Sequence, residues 1–187
     1  MANNASNVST GKPKVGGAIF VAPKGTTLPT DATTALNPAF TCLGYCSEDG
    51  VTNSNSVESS TVKAWGGDVV LSMQTGKSDS FKFKLIEVLN LDVLKFVYGD
   101  DNVIGTDLAT GITIKSNGSE AEEKALVVDM VMRDDNLKRI VIPAGKLSSL
   151  GDIVYKASDL VGYDVTISAA PDSSDNTHYE YIQTPGD

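Results

Sequence analysis

The chain has 187 residues, 41% of them hydrophobic, which is enough to build one packed domain with arms. Lys and Arg total 15 against 24 Asp and Glu, a formal net charge of -9. That balance excludes a protein that grips nucleic acid through its phosphates, which needs clustered cations, though not one that DNA merely passes.

Residues 1–14 are rich in Asn, Ser and Gly and read as a flexible N-terminal arm, with residues 15–187 as a single domain. Met1 to Thr10 lacks a basic start followed by an apolar core, so folding in the cytoplasm is expected. No run of apolar residues is long enough for a membrane-spanning helix. Gly17 to Val21 reads as a strand, Pro23 to Pro38 as a long loop, and Phe40 to Tyr45 as the next strand. Cys42 and Cys46 are the only cysteines. Four positions apart on a strand is about 13 Å, too far for a disulfide. With His178 the single histidine, zinc also lacks ligands, so two inert thiols are expected.

Ser47 to Thr61 (SEDGVTNSNSVESST) is small and polar. A hairpin continuing through Val62, Lys63 and Ala64 has no face apolar enough to cover a core of its own. Such a stretch is either disordered or completed by another chain. Trp65 ends it, as a core residue or as an interface anchor. Asp68 to Met73 reads as a strand and Gly76 as a turn. Phe81, Phe83 and Leu85 then alternate with Ser80, Lys82 and Lys84, a strand with one buried face.

The period changes at Asn90, which can cap a helix over Leu91 to Tyr98 with Asp92 in its positive first turn and Gly99 as its stop. Leu91, Leu94 and Tyr98 form its apolar stripe. Strands follow at Gly111 to Lys115, Ala125 to Met132, Leu137 to Ile142, near Asp152 to Lys156, Tyr163 to Ala169, and Thr177 to Gln183. Turns are expected at Asp134-Asp135-Asn136, Pro143-Ala144-Gly145 and Pro171 to Asp175. The sum is a mainly β fold with one short helix, an antiparallel sandwich or barrel.

No chemistry stands out. Gly16-Gly17 and Gly66-Gly67 are not phosphate loops. Asp100-Asp101 and Asp134-Asp135 read as turns, with no calcium-loop spacing. No activated serine or cysteine accompanies His178. Lys82 and Lys84, and Lys138 and Arg139, read as solvated positions. No enzyme activity, metal or cofactor is expected.

The order of motifs carries more. Gly44-Tyr45-Cys46-Ser47-Glu48-Asp49-Gly50-Val51 precedes the polar loop, and Lys63-Ala64-Trp65-Gly66-Gly67-Asp68 and Ser78-Asp79-Ser80-Phe81-Lys82-Phe83 follow it. Leu85-Ile86-Glu87-Val88 then precedes Val93-Leu94-Lys95 and Tyr98-Gly99, with KRIVIPAG at Lys138 to Gly145 and YDVTISAAP at Tyr163 to Pro171. Over about residues 15 to 170 this resembles the major tail tube proteins of long-tailed, siphovirus-type bacteriophages.

The resemblance implies a structural virion protein, assembled in the host cytoplasm as a sandwich flanked by a helix. Six copies would form a ring, and rings would stack into a hollow tube for DNA, with neighbouring sheets joined edge to edge around the lumen. The loop matching 47–64 would reach an adjacent ring, and terminal arms would cross between subunits. An added immunoglobulin-like domain, carried by some members, is not expected in a chain of this length. The implied partners are the chain itself, a tape measure protein, a tail terminator, distal tail proteins, and DNA passing without specific binding. The assembly candidates are Ser47, Glu48, Asp49, Asn53, Asn55, Glu58, Lys63 and Trp65, and the lumen candidates Glu58 and Asp68. Two alternatives remain. One is a tube subunit of a tailocin or type VI secretion-like machine. The other is an extracellular β-sandwich binding module, which would normally bring a signal peptide and exposed aromatics.

Overall fold

The computed structural model describes residues 3–185. Its strands are β1 (Lys12–Pro13), β2 (Ile19–Pro23), β3 (Thr41–Cys42), β4 (Cys46–Lys63), β5 (Val69–Leu85), β6 (Val103–Ile104), β7 (Thr113–Ile114), β8 (Glu123–Val131), β9 (Leu137–Leu150), β10 (Tyr163–Ala169) and β11 (Tyr179–Gln183). One α-helix, α1, spans Leu91–Tyr98. The main sheet runs β3-β2-β8-β9-β10-β5-β4, with β1 added to β8 and β11 to β9, and every pairing is antiparallel. The sheet is open, ending on β3 and β4, and does not close into a barrel.

Strand alternation gives this sheet two apolar faces. On β8, Leu126 and Val128 enter the main core with Ile19, Phe81, Phe83, Leu85, Ile142, Val165 and Ile167. Ala125 and Val127 face the other way, under Phe40 and beside Val141. The central pairing sets Val165 opposite Phe83 and Ile167 opposite Phe81. Each of these fully buried side chains contributes on the order of 1.5–3 kcal/mol.

Helix α1 begins where the sequence places it. The Asn90 side chain accepts the Asp92 amide at 3.0 Å, and Gly99, at φ 93°, ends it. Its buried residues are Val93, Leu94, Phe96 and Val97, a wider face than the expected stripe, with Leu91 and Tyr98 only half-buried at its margins.

Pro143-Ala144-Gly145 is not a turn. β9 continues through it to Leu150 and changes partner there, from β11 over Leu137 to Val141 to β10 over Gly145 to Leu150. Pro143 falls in the gap between these partners, where its missing N–H breaks no ladder bond. Gly145 is required because a Cβ would meet Leu126 Cδ1 at 2.5 Å and Ile167 Cγ2 at 2.8 Å. Gly76 is likewise no turn, since β5 runs straight past it opposite Glu58 with a bulge alongside. Asp152 to Lys156 forms no strand. Asp134 and Asp135 turn the chain as read, with left-handed backbone at φ 56° and 57°, whereas Asp100 and Asp101 open a short 3-10 helix over Asp100–Asn102.

Arg139 is not solvated. It is 1% exposed and forks onto Asp129, with Nε 2.6 Å from Oδ1 and Nη2 2.8 Å from Oδ2. Its Nη1 donates to the Asp31 and Thr34 carbonyls at 3.0 and 2.8 Å. The pair thereby ties the loop 24–40 to the sheet. Within that loop, the Asp31 carboxylate accepts bonds from the side chain and amide of Thr34 and from Thr33, which hold its pKa well below the usual carboxylate range.

Of residues 1–14, Met1 and Ala2 lie outside the described residues. The remainder runs beside β8. Arg133 donates to Ser9 Oγ at 2.7 Å and to the Ala5 carbonyl at 2.9 Å, and Lys12 pairs opposite Val131.

Candidate assembly surface

β4 and β5 form one long hairpin, and only its root belongs to the core. Phe81, Phe83 and Leu85 are buried at the base, whereas beyond Asp79 nearly every residue of both strands is exposed. The ladder continues from Asn55 opposite Asp79 to Lys63 opposite Val69. At about 3.3 Å per residue this free part projects roughly 25–30 Å. A two-stranded ribbon of this kind is marginal in water on its own. Its surface is also not purely polar: Val57, Val62, Val69, Val70, Leu71 and Met73 are exposed, and Val62 stands opposite Leu71. Exposed apolar groups concentrated on an element with no core mark a contact surface.

The tip is a turn in which the Ala64 amide donates to the Asp68 carbonyl and the Gly67 amide to the Ala64 carbonyl, both at 2.8 Å. Gly67, at φ 96°, supplies the left-handed position. This turn holds Trp65 fully exposed, which overturns its reading as a core residue.

The residues singled out from sequence are strung along this hairpin and not gathered at one spot. Ser47, Glu48 and Asp49 lie in a wide bulge at its base, between Cys46 opposite Leu85 and Val51 opposite Phe83, where Ser47 Oγ donates to Asp49 at 3.1 Å. Asn53 and Asn55 follow, opposite Phe81 and Asp79; Glu58 is midway, opposite Gly76; Lys63, Trp65 and Asp68 are at the tip.

A buried anchor at the root escaped the sequence reading. Asp79 is 2% exposed. It accepts from Asn53 Nδ2 at 2.7 Å and Thr177 Oγ1 at 2.6 Å, and lies 2.5 Å from His178 Nδ1. The His178 ring stands edge-on to Phe81 at 5.3 Å. Burial opposes ionisation of Asp79, but the bonds from Thr177, Asn53 and His178 outweigh it and keep its pKa below the usual range. The hairpin root is thus locked to the C-terminal segment. Cys42 and Cys46 are free and half-buried, and burial raises the Cys46 thiol to about 11, which keeps it protonated at neutral pH.

An open antiparallel sheet with a projecting, partly apolar hairpin is the geometry of a subunit completed by other copies. A protein-family model described as phage tail tube protein matches residues 1–185. The chain belongs to the phage tail tube protein family. It is therefore a structural component of the phage virion that assembles with itself and with other tail proteins into a tube. No curated protein matches the chain.

Proposed function

We propose that this tail tube protein, one domain over residues 15–187 with an arm over 1–14, forms stacked hexameric rings that conduct DNA from a siphovirus-type particle. Its β4–β5 hairpin links one ring to the next. The observation that carries this reading is the free hairpin, whose apolar side chains and unpaired outer β4 edge have no partner among the described residues. Pairing or covering that edge in an assembly removes an aggregation hazard. Ser47, Glu48, Asp49, Asn53, Asn55, Glu58, Lys63 and Trp65 then contact neighbouring copies. The charge of -9 per subunit supports a wall that repels the duplex, with Glu58 and Asp68 as lumen candidates. The tube ends on a terminator and distal tail proteins and encloses a tape measure protein during assembly in the host cytoplasm. Negative-stain microscopy of the concentrated, purified protein tests this. Hollow rods built from six-membered rings are expected; a chain that stays monomeric at every concentration, or gives solid fibres, overturns it.

A further inference from the structure

We propose that the hairpin tip of one copy inserts Trp65 into a cleft between the end of α1 and the C-terminal part of β9 on a second copy, a contact that rests on the tube reading above. The cleft has a volume of about 410 Å³ and is walled by Phe96 and Val97 of α1, Leu147 and Leu150 of β9, and the acidic residues Asp101 and Glu122. That volume lies in the range of about 300–1,000 Å³ that takes a small organic ligand, which is room enough for an indole. An indole presents a large apolar body and a single N–H donor, and the cleft offers apolar side chains interspersed with carboxylates, hydroxyls and amides that can accept that N–H.

The register places tip and cleft on opposite ends of the subunit. From Leu85, opposite Tyr163, β5 runs back past Ser80, opposite Ser168, and on into the free hairpin. β9 runs the other way, from Gly145 opposite Ala169 to Leu150 opposite Val165. The cleft therefore lies toward the end that the hairpin leaves behind. A protrusion at one end and a recess at the other make a heterologous contact that repeats head to tail, which is what stacking requires. Charge adds direction. Asp100 pairs with Lys124 and Glu120 with Lys146, while Asp101 and Glu122 have no ion pair among the described residues. Lys63 flanks Trp65 at the tip and supplies the opposite charge. Asp68 across the turn offsets part of it, so the indole provides most of the contact and Lys63 its orientation.

Trp65 is the only tryptophan, so the emission of the unsubstituted chain reports its environment. On tube formation its fluorescence is expected to shift to the blue and to lose access to acrylamide. Tubes whose tryptophan stays solvent-like overturn the insertion and leave the tube reading intact. The site is tested with Gly66→Cys/Ser149→Cys, treated in tubes with a short bismaleimide. A side chain at position 66 would meet nothing within 4 Å and leaves Trp65 in place, and Ser149 lines the cleft. A covalent ladder above the background from Cys42 and Cys46 is expected, and none from Gly66→Cys/Ser173→Cys. Buried tryptophan without the ladder places the tip elsewhere and overturns the cleft. Failure of the unsubstituted chain to form tubes overturns the tube reading itself, and the inference with it.

Discussion

Arg139 and Asp79 are the two polar residues on which the interior depends most. Removing the Arg139 guanidinium leaves the Asp129 carboxylate, itself 4% exposed, with only the more distant Lys14 ammonium at 3.8 Å. Arg139→Ala should cost about 3–5 kcal/mol, as for other broken buried pairs, read from urea unfolding, and should release the loop 24–40. Phe83→Ala should cost about 3–5 kcal/mol through the cavity it opens; normal melting would mean that this side chain is not core. Asp79 gives a pH dependence of definite sign. Its pKa is lower folded than unfolded, so its contribution is complete above the ordinary carboxylate value of about 3.9 and is lost as pH falls through the lowered one. Asp79→Asn should therefore melt lower than the parent at neutral pH, with the gap narrowing on acidification. A constant gap would remove the ionised carboxylate as the anchor. Arg139 and Asp79 were hidden in the sequence for one reason: burial by a distant loop or by the C-terminal segment leaves no local trace. Trp65 was ambiguous for the same reason, since a lone aromatic beside two glycines fits a core edge or a tip equally.

At the scale of elements, the hairpin is separable from the fold. Replacing residues 57–77 by an Asn-Gly turn, which suits a tight antiparallel connection, removes no buried hydrophobic residue. The trimmed chain should keep its melting temperature and lose tube formation; a trimmed chain that still polymerises normally contradicts the hairpin's role. Amides along the β4 edge should exchange quickly in the monomer and slowly in the tube, and equal rates would rule out edge protection. The elements legible beforehand were those whose signals are local. α1 carries its own cap and stop, and Tyr163 to Ala169 alternates cleanly, so both bounds were readable. Where glycine and proline served a tertiary purpose, local rules misled. Pro143 and Gly145 accommodate a change of partner strand and a close approach, and Gly76 lies beside a bulge. The hairpin's polarity was visible as a missing core, but its full length and register followed only from the match of β4 to β5.

For the whole molecule, six subunits of charge -9 would place a large negative charge around each ring. A wall of that sign binds no phosphates, so transit of DNA should depend little on salt, whereas a basic wall would release counterions at each contact. Glu58→Lys and Asp68→Lys should slow DNA ejection at low salt, with recovery as screening shortens the interaction to about 10 Å near 0.1 M; unchanged ejection would place both residues away from the lumen. The most direct measurement is a helical reconstruction of the native tail by electron cryo-microscopy. Six-fold rings around an open, non-basic lumen are expected, with the β4–β5 hairpin of each subunit crossing into the adjacent ring. Hairpins that stay within their own ring, or a predominantly positive inner wall, would contradict a tube joined and lined in this way.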